Sequence, residues 1–130
     1  MKANELTDGI YVYFNCFDGS KIIVKVTGFK DNIVYGVSEY GAHWCPISKT
    51  EPIPLTLEIL EKNGFRQIGE KFIWGEIDDE LIEIIPSINN SYRIKVSVAD
   101  LMISCNIWCS HVHQLQYALK LCEIEKELIL

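Results

Sequence analysis

Residues 52–65, Pro-Ile-Pro-Leu-Thr-Leu-Glu-Ile-Leu-Glu-Lys-Asn-Gly-Phe, narrow the folds open to this chain more than any other segment. Pro52 and Pro54 lack the amide hydrogens that a central strand needs, so no interior strand can run through this point. Thr56 stands where a helix N-cap is wanted: its hydroxyl can accept from a free amide of the first turn, and Glu58 complements the positive end of the helix dipole. Leu57, Ile59 and Leu60 are expected to form the buried side, with Lys62 near the negative end. Asn63-Gly64 ends the helix, because Gly can take the left-handed conformation, and Phe65 is placed to fold back on it. The predicted helix, residues 56–63, has two turns and is stable only when packed. It separates residues 1–51 from residues 52–130. The short, stiff joint predicts that the two parts pack as one compact unit.

The first part reads as strands. Residues 10–17 are β-branched and aromatic, with Tyr11, Tyr13 and Phe17 on one side and Ile10, Val12, Phe14 and Cys16 on the other. Asp18-Gly19 is a hairpin signal, and residues 21–27 read as the return strand. Gly28 and Asp31-Asn32 bracket the next turn before a strand at 33–39. Gly41 then interrupts before His43-Trp-Cys-Pro-Ile47. Short strands at this spacing predict a small antiparallel β-barrel-like segment.

In the second part, residues 70–75 and 80–86 read as strands joined by an acidic loop, and Asn89-Asn90 as a turn. Tyr92, Ile94, Val96 and Val98 alternate with Arg93, Lys95 and Ser97, a half-buried strand pattern. Residues 102–109 form a further strand. Ser110 is the N-cap candidate of a helix at 111–122, whose Val112, Leu115, Ala118, Leu119 and Cys122 fall on one face. Glu123 stands where a helix-ending Gly is expected, and the tail after it could continue the helix or form an edge strand. The fold class is therefore α+β: a small barrel-like segment, a helix, an antiparallel meander and a C-terminal helix.

The helix segment "EPIPLTLEILEKNGF" and the closing "VHQLQYALKLCEIEKEL" together resemble a group of short, uncharacterised proteins of gut anaerobic bacteria and their phages and mobile elements. The group pattern is a strand-rich start, a P-I-P-L-T helix ending in G-F, strands, and a V-H-x-L-Q helix. The resemblance implies this layout and an accessory factor; it implies no catalytic residues.

The chain has 130 residues and a formal net charge of −6, with 48% apolar residues, more than a disordered chain would carry. Residues 1–51 hold five Lys against six Asp and Glu, and residues 52–130 seven Lys and Arg against twelve. With no run of Lys and Arg, nucleic acid and anionic membrane are not expected partners. The polar start lacks an apolar signal core and no run approaches a membrane span, which predicts a cytoplasmic protein with reduced thiols.

Four groupings carry chemical potential. Cys105, Cys109, His111 and His113 are zinc-type ligands, but their spacing matches no common finger or ribbon, and two Cys alternating with Ile suit a packed strand. His43 and Cys45 add a His and a thiol for a Cys–His or metal-dependent enzyme, without a local signature around either. Glu76, Asp78, Asp79, Glu80 and Glu83 lack calcium-loop spacing and read as a solvated turn. The aromatics Tyr11, Tyr13, Tyr35 and Trp44, and the polar side of His111, His113 and Gln114, are the candidate contact residues for a ligand or partner. His113, Gln114 and Gln116 could equally hydrogen-bond backbone groups at the strand-to-helix junction. No phosphate loop or hydrolase motif is present, and no cofactor or catalytic residue is expected. The expected function is a non-enzymatic binding module, homo-oligomeric, that binds a host protein or sequesters a small molecule. The alternative is a small metal-dependent or Cys–His enzyme.

Overall fold

A computed structural model describes residues 1–99 and 103–130; the expected start of the last strand at residue 102 lies outside them. The chain is mixed α+β and divides into two compact units, Met1–Ile53 and Pro54–Leu130, each built on one five-stranded antiparallel sheet. Among the described residues no helix is long and apolar enough to cross a membrane.

The first unit contains β1 (Tyr11–Asn15), β2 (Lys21–Lys30), β3 (Ile33–Ser38), β4 (Gly41–Pro46) and β5 (Thr50–Pro52) in the order β4-β3-β2-β1-β5. Strand period 2 decides its two faces: Val12, Phe14, Val24, Val26, Val34 and Cys45 are buried, and the residues between them point outward. Asp31 and Asn32 both take positive φ, 53° and 63°, as a two-residue hairpin between Lys30 and Ile33 requires. A Cβ on Gly36 would lie 2.7 Å from the Lys25 carbonyl oxygen and against the Val24 side chain, so glycine lets β3 approach β2 closely there. A bulge shifts the β2–β3 register between Val26 and Gly28. β4 and β5 stand at the two edges, and no ladder among the described residues joins them, so the pairing does not close a barrel. Pro52 ends β5, an edge strand that the prolines had hidden in the sequence.

The second unit opens with α1 (Leu57–Lys62), whose Thr56 hydroxyl accepts from the Ile59 amide at 3.3 Å. Gly64 takes φ 83° and the Phe65 amide returns to the Leu60 carbonyl, closing the helix as its residues predict. Leu60 is fully buried, but Leu57 is 47% exposed, contrary to expectation. As the first residue of so short a helix, it has no neighbouring turn to pack it.

The meander follows as β6 (Arg66–Ile68), β7 (Lys71–Gly75), β8 (Glu80–Pro86), β9 (Tyr92–Val98) and β10 (Ile103–Cys109), paired in chain order. β6 has three residues, all exposed, and leaves no periodic signal. Asn89 and Asn90, at φ 58° and 57°, make the turn between β8 and β9. Tyr92, Ile94, Val96 and Val98 are buried on one face, and α2 (Val112–Leu121) packs against β9 and β10.

The N-cap of α2 is His111, not Ser110. The Ser110 carbonyl accepts from the Leu55 amide at 2.9 Å, and Pro54 and His111 form an isolated antiparallel bridge. These contacts keep Ser110 extended, so the helix starts one residue later. Glu123 takes φ 57°, the left-handed position, and the Ile124 amide reaches back to the Leu119 carbonyl at 2.9 Å. The tail beyond neither continues the helix nor joins a sheet. It is fastened by buried Asn63, whose side-chain amide donates to the carbonyls of Ile59 and Ile129 and whose oxygen accepts from the Ile129 amide, each at 2.7 Å.

Glu123→Gly removes a left-handed side chain and should stabilise the fold by about 1 kcal/mol, read as a higher urea midpoint with an unchanged slope. Asn63→Ala leaves the two part-buried backbone groups of Ile129 without their partner. It should cost about 2–3 kcal/mol in the same assay and release the tail to proteolysis.

Candidate functional site

The outward face of the first sheet gathers aromatics from separate strands. Tyr35 and Trp44 are directly opposite on β3 and β4; Trp44 is 67% and Tyr35 44% exposed. Val37 and Ile23 are also exposed, and Tyr13 pairs with Ile23 and Tyr11 with Lys25. The Lys25 ammonium lies over the Tyr11 ring at 5.9 Å and Lys21 over Tyr13 at 5.5 Å. Lys21 also meets Glu51 at 2.7 Å, and this hydrogen-bonded pair holds the Glu51 carboxyl below its usual range. Four predicted contact residues, Tyr11, Tyr13, Tyr35 and Trp44, therefore share one surface.

Beside it lies a depression of about 570 Å³ lined by Phe14, Phe17, Ile22, Trp44 and Pro46 among others. Phe17 belongs to the tight turn after β1 and is fully exposed, not part of the strand face. The turn is held by Asp18, which accepts from the Ser20 amide at 2.9 Å and its hydroxyl at 2.6 Å; these bonds lower the Asp18 pKa. Once Asp18 caps the turn, the chain leaves the strand and Phe17 loses its neighbours.

His43, Cys45 and Cys16 line the same depression. They do not form a nucleophilic pair. The His43 ring is hydrogen-bonded to the Ser38 hydroxyl at 2.7 Å, and neither thiol hydrogen-bonds to it. Burial pushes the Cys45 thiol up, only partly offset by hydrogen bonding with Thr50, the wrong direction for an activated nucleophile.

The His111–Gln114 segment belongs to the second unit. The Gln114 side-chain oxygen accepts from the amides of Ser110 at 2.8 Å and His111 at 3.1 Å, closing the helix N-terminus. His113 is buried, its ring stacked on His111 at 5.8 Å and edge-on to Tyr117 at 5.9 Å. It faces the interior and offers no outer contact surface. His111 is half-buried, with its Nδ1 3.0 Å from the Ser110 hydroxyl, and lines an open depression of about 640 Å³ with Thr56, Leu57, Asn90 and Tyr92.

Among the described residues no three His, Cys, Asp or Glu side chains gather into a possible metal site, so Cys105, Cys109, His111 and His113 do not converge. Cys109 is buried and donates to the His111 carbonyl at 3.1 Å. Burial pushes its thiol from 9.0 up to about 11. Glu76, Asp78 and Asp79 form an exposed turn closed by the Asp79 amide on the Glu76 carbonyl.

One grouping was invisible in the linear order. Arg66, Lys71, Arg93 and Lys95 come from three strands of the second sheet and lie on its outward face with Trp108. The register assembles them across thirty positions; the outward placement of Arg93 and Lys95 was the only sequence signal.

Because folding raises the Cys109 pKa, this thiol stabilises the fold fully below pH 9. The contribution is lost as pH rises from 9 towards 11, where the unfolded chain releases the proton first. Wild type should lose more stability than Cys109→Ala over that window in urea melts, and both should run parallel below pH 8.

Comparison with protein-family models, with curated proteins and with solved structures returns no match for this chain.

Proposed function

We propose that the chain is a non-enzymatic binding module that works as a homo-oligomer and holds a partner through the outward face of its first sheet. The observation that carries this reading is the exposed Tyr35–Trp44 cross-strand pair, flanked by Val37 and Ile23 and adjoining the 570 Å³ depression. Aromatic side chains supply large contact area with little conformational entropy to lose, and clustered exposed apolar groups are otherwise costly to solubility. The ten-residue β2, its bulge and the close approach at Gly36 support a strongly bent, barrel-like sheet, which would make this face convex beside the concave depression. A small apolar molecule or an extended peptide side chain fits the depression; a concave protein surface fits the face.

The resemblance of the two helix motifs to proteins of phages and mobile elements supports reading such a module as a cytoplasmic accessory factor. It would act by binding a host protein or sequestering a small molecule. The enzyme alternative gains no support from His43 and Cys45: the ring is hydrogen-bonded to Ser38, and burial moves the thiol away from the thiolate needed for attack.

Native mass spectrometry of the protein purified from its own host tests the reading. The expected result is a multiple of the 14.9 kDa chain, carrying a bound molecule or protein that Trp44→Ala loses. A bare single chain for both proteins would overturn it.

A further inference from the structure

We propose that the outward face of the second sheet, β6–β10, is the self-association surface, and that a second copy docks on it face to face with its acidic β7–β8 loop over the cationic end. This rests on the homo-oligomeric reading above and names the surface responsible.

The face can be written row by row from the strand registers. One row runs Ile68, Lys71, Ile85, Arg93, Trp108; the next runs Arg66, Ile73, Glu83, Lys95, Asn106; a third holds Gly75, Leu81 and Ser97. Four cations share this surface with one carboxylate, Glu83, in a chain whose net charge is −6. The excess negative charge therefore lies on the rest of the molecule. Among the described residues none of the four cations forms an ion pair. Arg93 is oriented by the Asn106 side-chain oxygen at 2.9 Å and Arg66 by the Gly75 carbonyl at 3.2 Å. Trp108 is 64% exposed beside Arg93, and Ile68 is exposed at the other end of its row. Isolated cations on an open sheet are ordinary, but cations interleaved with an exposed Trp and half-buried Ile and Leu describe an interface core with charged surroundings.

Charge complementarity chooses the occupant. The loop after β7 presents Glu76, Asp78 and Asp79 exposed, with Ile77 77% exposed between them. It sits at the Gly75 end of the face. The Lys71–Arg93–Trp108 row lies four residues away at the other end, roughly 14 Å along the strands. A two-fold axis parallel to the sheet, midway between the two copies and running across the strands, turns face to face and reverses the strand ends. It sets the acidic loop of each copy over the cationic row of the other, with Ile77 directed at Lys71 and Ile85. Both contacts are made twice, as an isologous pair requires. Five strands of three to seven residues cover roughly 400 Å² on each copy, about 800 Å² in total, which puts the interface in the range of weak, transient pairs. Association should therefore depend on concentration and weaken with salt.

Sedimentation equilibrium of the full chain, at low and high salt, tests this. The wild type should double its mass with rising concentration and lose association at 0.5 M salt. Arg93→Glu/Lys95→Glu should be monomeric, and so should Asp78→Lys/Asp79→Lys, each with an unchanged circular dichroism spectrum. An equimolar mixture of the two variants should regain the doubled mass, because each reversed face then meets a reversed loop. Restoration by mixing cannot come from a variant that merely misfolds. A wild-type oligomer indifferent to both reversals overturns this face and leaves the oligomeric reading standing; a wild-type monomer at every concentration overturns both. Monomers that stay monomeric on mixing overturn the loop-on-face pairing. A monomeric wild type that shifts single-stranded oligonucleotide in a salt-sensitive way, lost in Arg93→Glu/Lys95→Glu, overturns it in favour of nucleic acid.

Discussion

Both sheets rest on one constraint: an antiparallel strand buries every second side chain, so the parity of each strand must survive every turn. A slip of one residue would move a whole apolar set to the solvent side. The turns keep parity by conformation, not by side-chain bulk. Asp31-Asn32 and Asn89-Asn90 place consecutive residues at positive φ, where the chain reverses tightly and the twist of the flanking strands is matched. Once parity is set, the inner faces carry Val12, Val24 and Val34 in one sheet and Ile82, Ile84, Ile94 and Val96 in the other. The outer faces follow without further choice, and the aromatic and cationic candidates for recognition lie on them; the His111–Gln114 segment lies apart, at the start of α2.

Short helices in the second unit depend on hydrogen bonds at their ends. α1 has six residues, too few for a self-sustaining helix. It is held by the Thr56 cap, by buried Leu60 and by Asn63, which bonds the last turn and the tail together. α2 is opened by Gln114 reaching back to two amides and closed by Glu123 in the left-handed position. A polar side chain is buried in the fold where it settles backbone groups that would otherwise go unpaired. This is the better account of Gln114 than ligand contact, and His113, inside the same junction, is part of that packing.

The elements with a strong period or a capping pair were legible from residues alone: α1, β9 and the apolar face of α2. Elements of three residues, β5 and β6, were not, because three residues carry too little alternation and Pro52 argued only against an interior strand. Leu57 and Ser110 were misassigned for different reasons. Leu57 begins a helix too short to cover it, whereas the start of α2 is decided by what Ser110 bonds to, here Leu55, a partner 55 positions away. The aromatics of the first sheet were recognisable as a set, but their coincidence on one face needed the Tyr35–Trp44 pairing.

By itself the sequence determined the alternation of apolar residues, the turn positions and the caps of α1, because each depends on neighbours within a few residues, together with the acidic balance. Tertiary structure decided which strands pair, and through that which exposed side chains stand together. Arg66, Lys71, Arg93, Lys95 and Trp108 share a surface only because cross-strand neighbours are set by register, a relation between residues far apart in the chain. Among the described residues the Cys and His residues that looked like a ligand set do not gather: strand parity buries Cys109 and the packed face of α2 buries His113, where a thiol stays protonated and a ring packs against its neighbours.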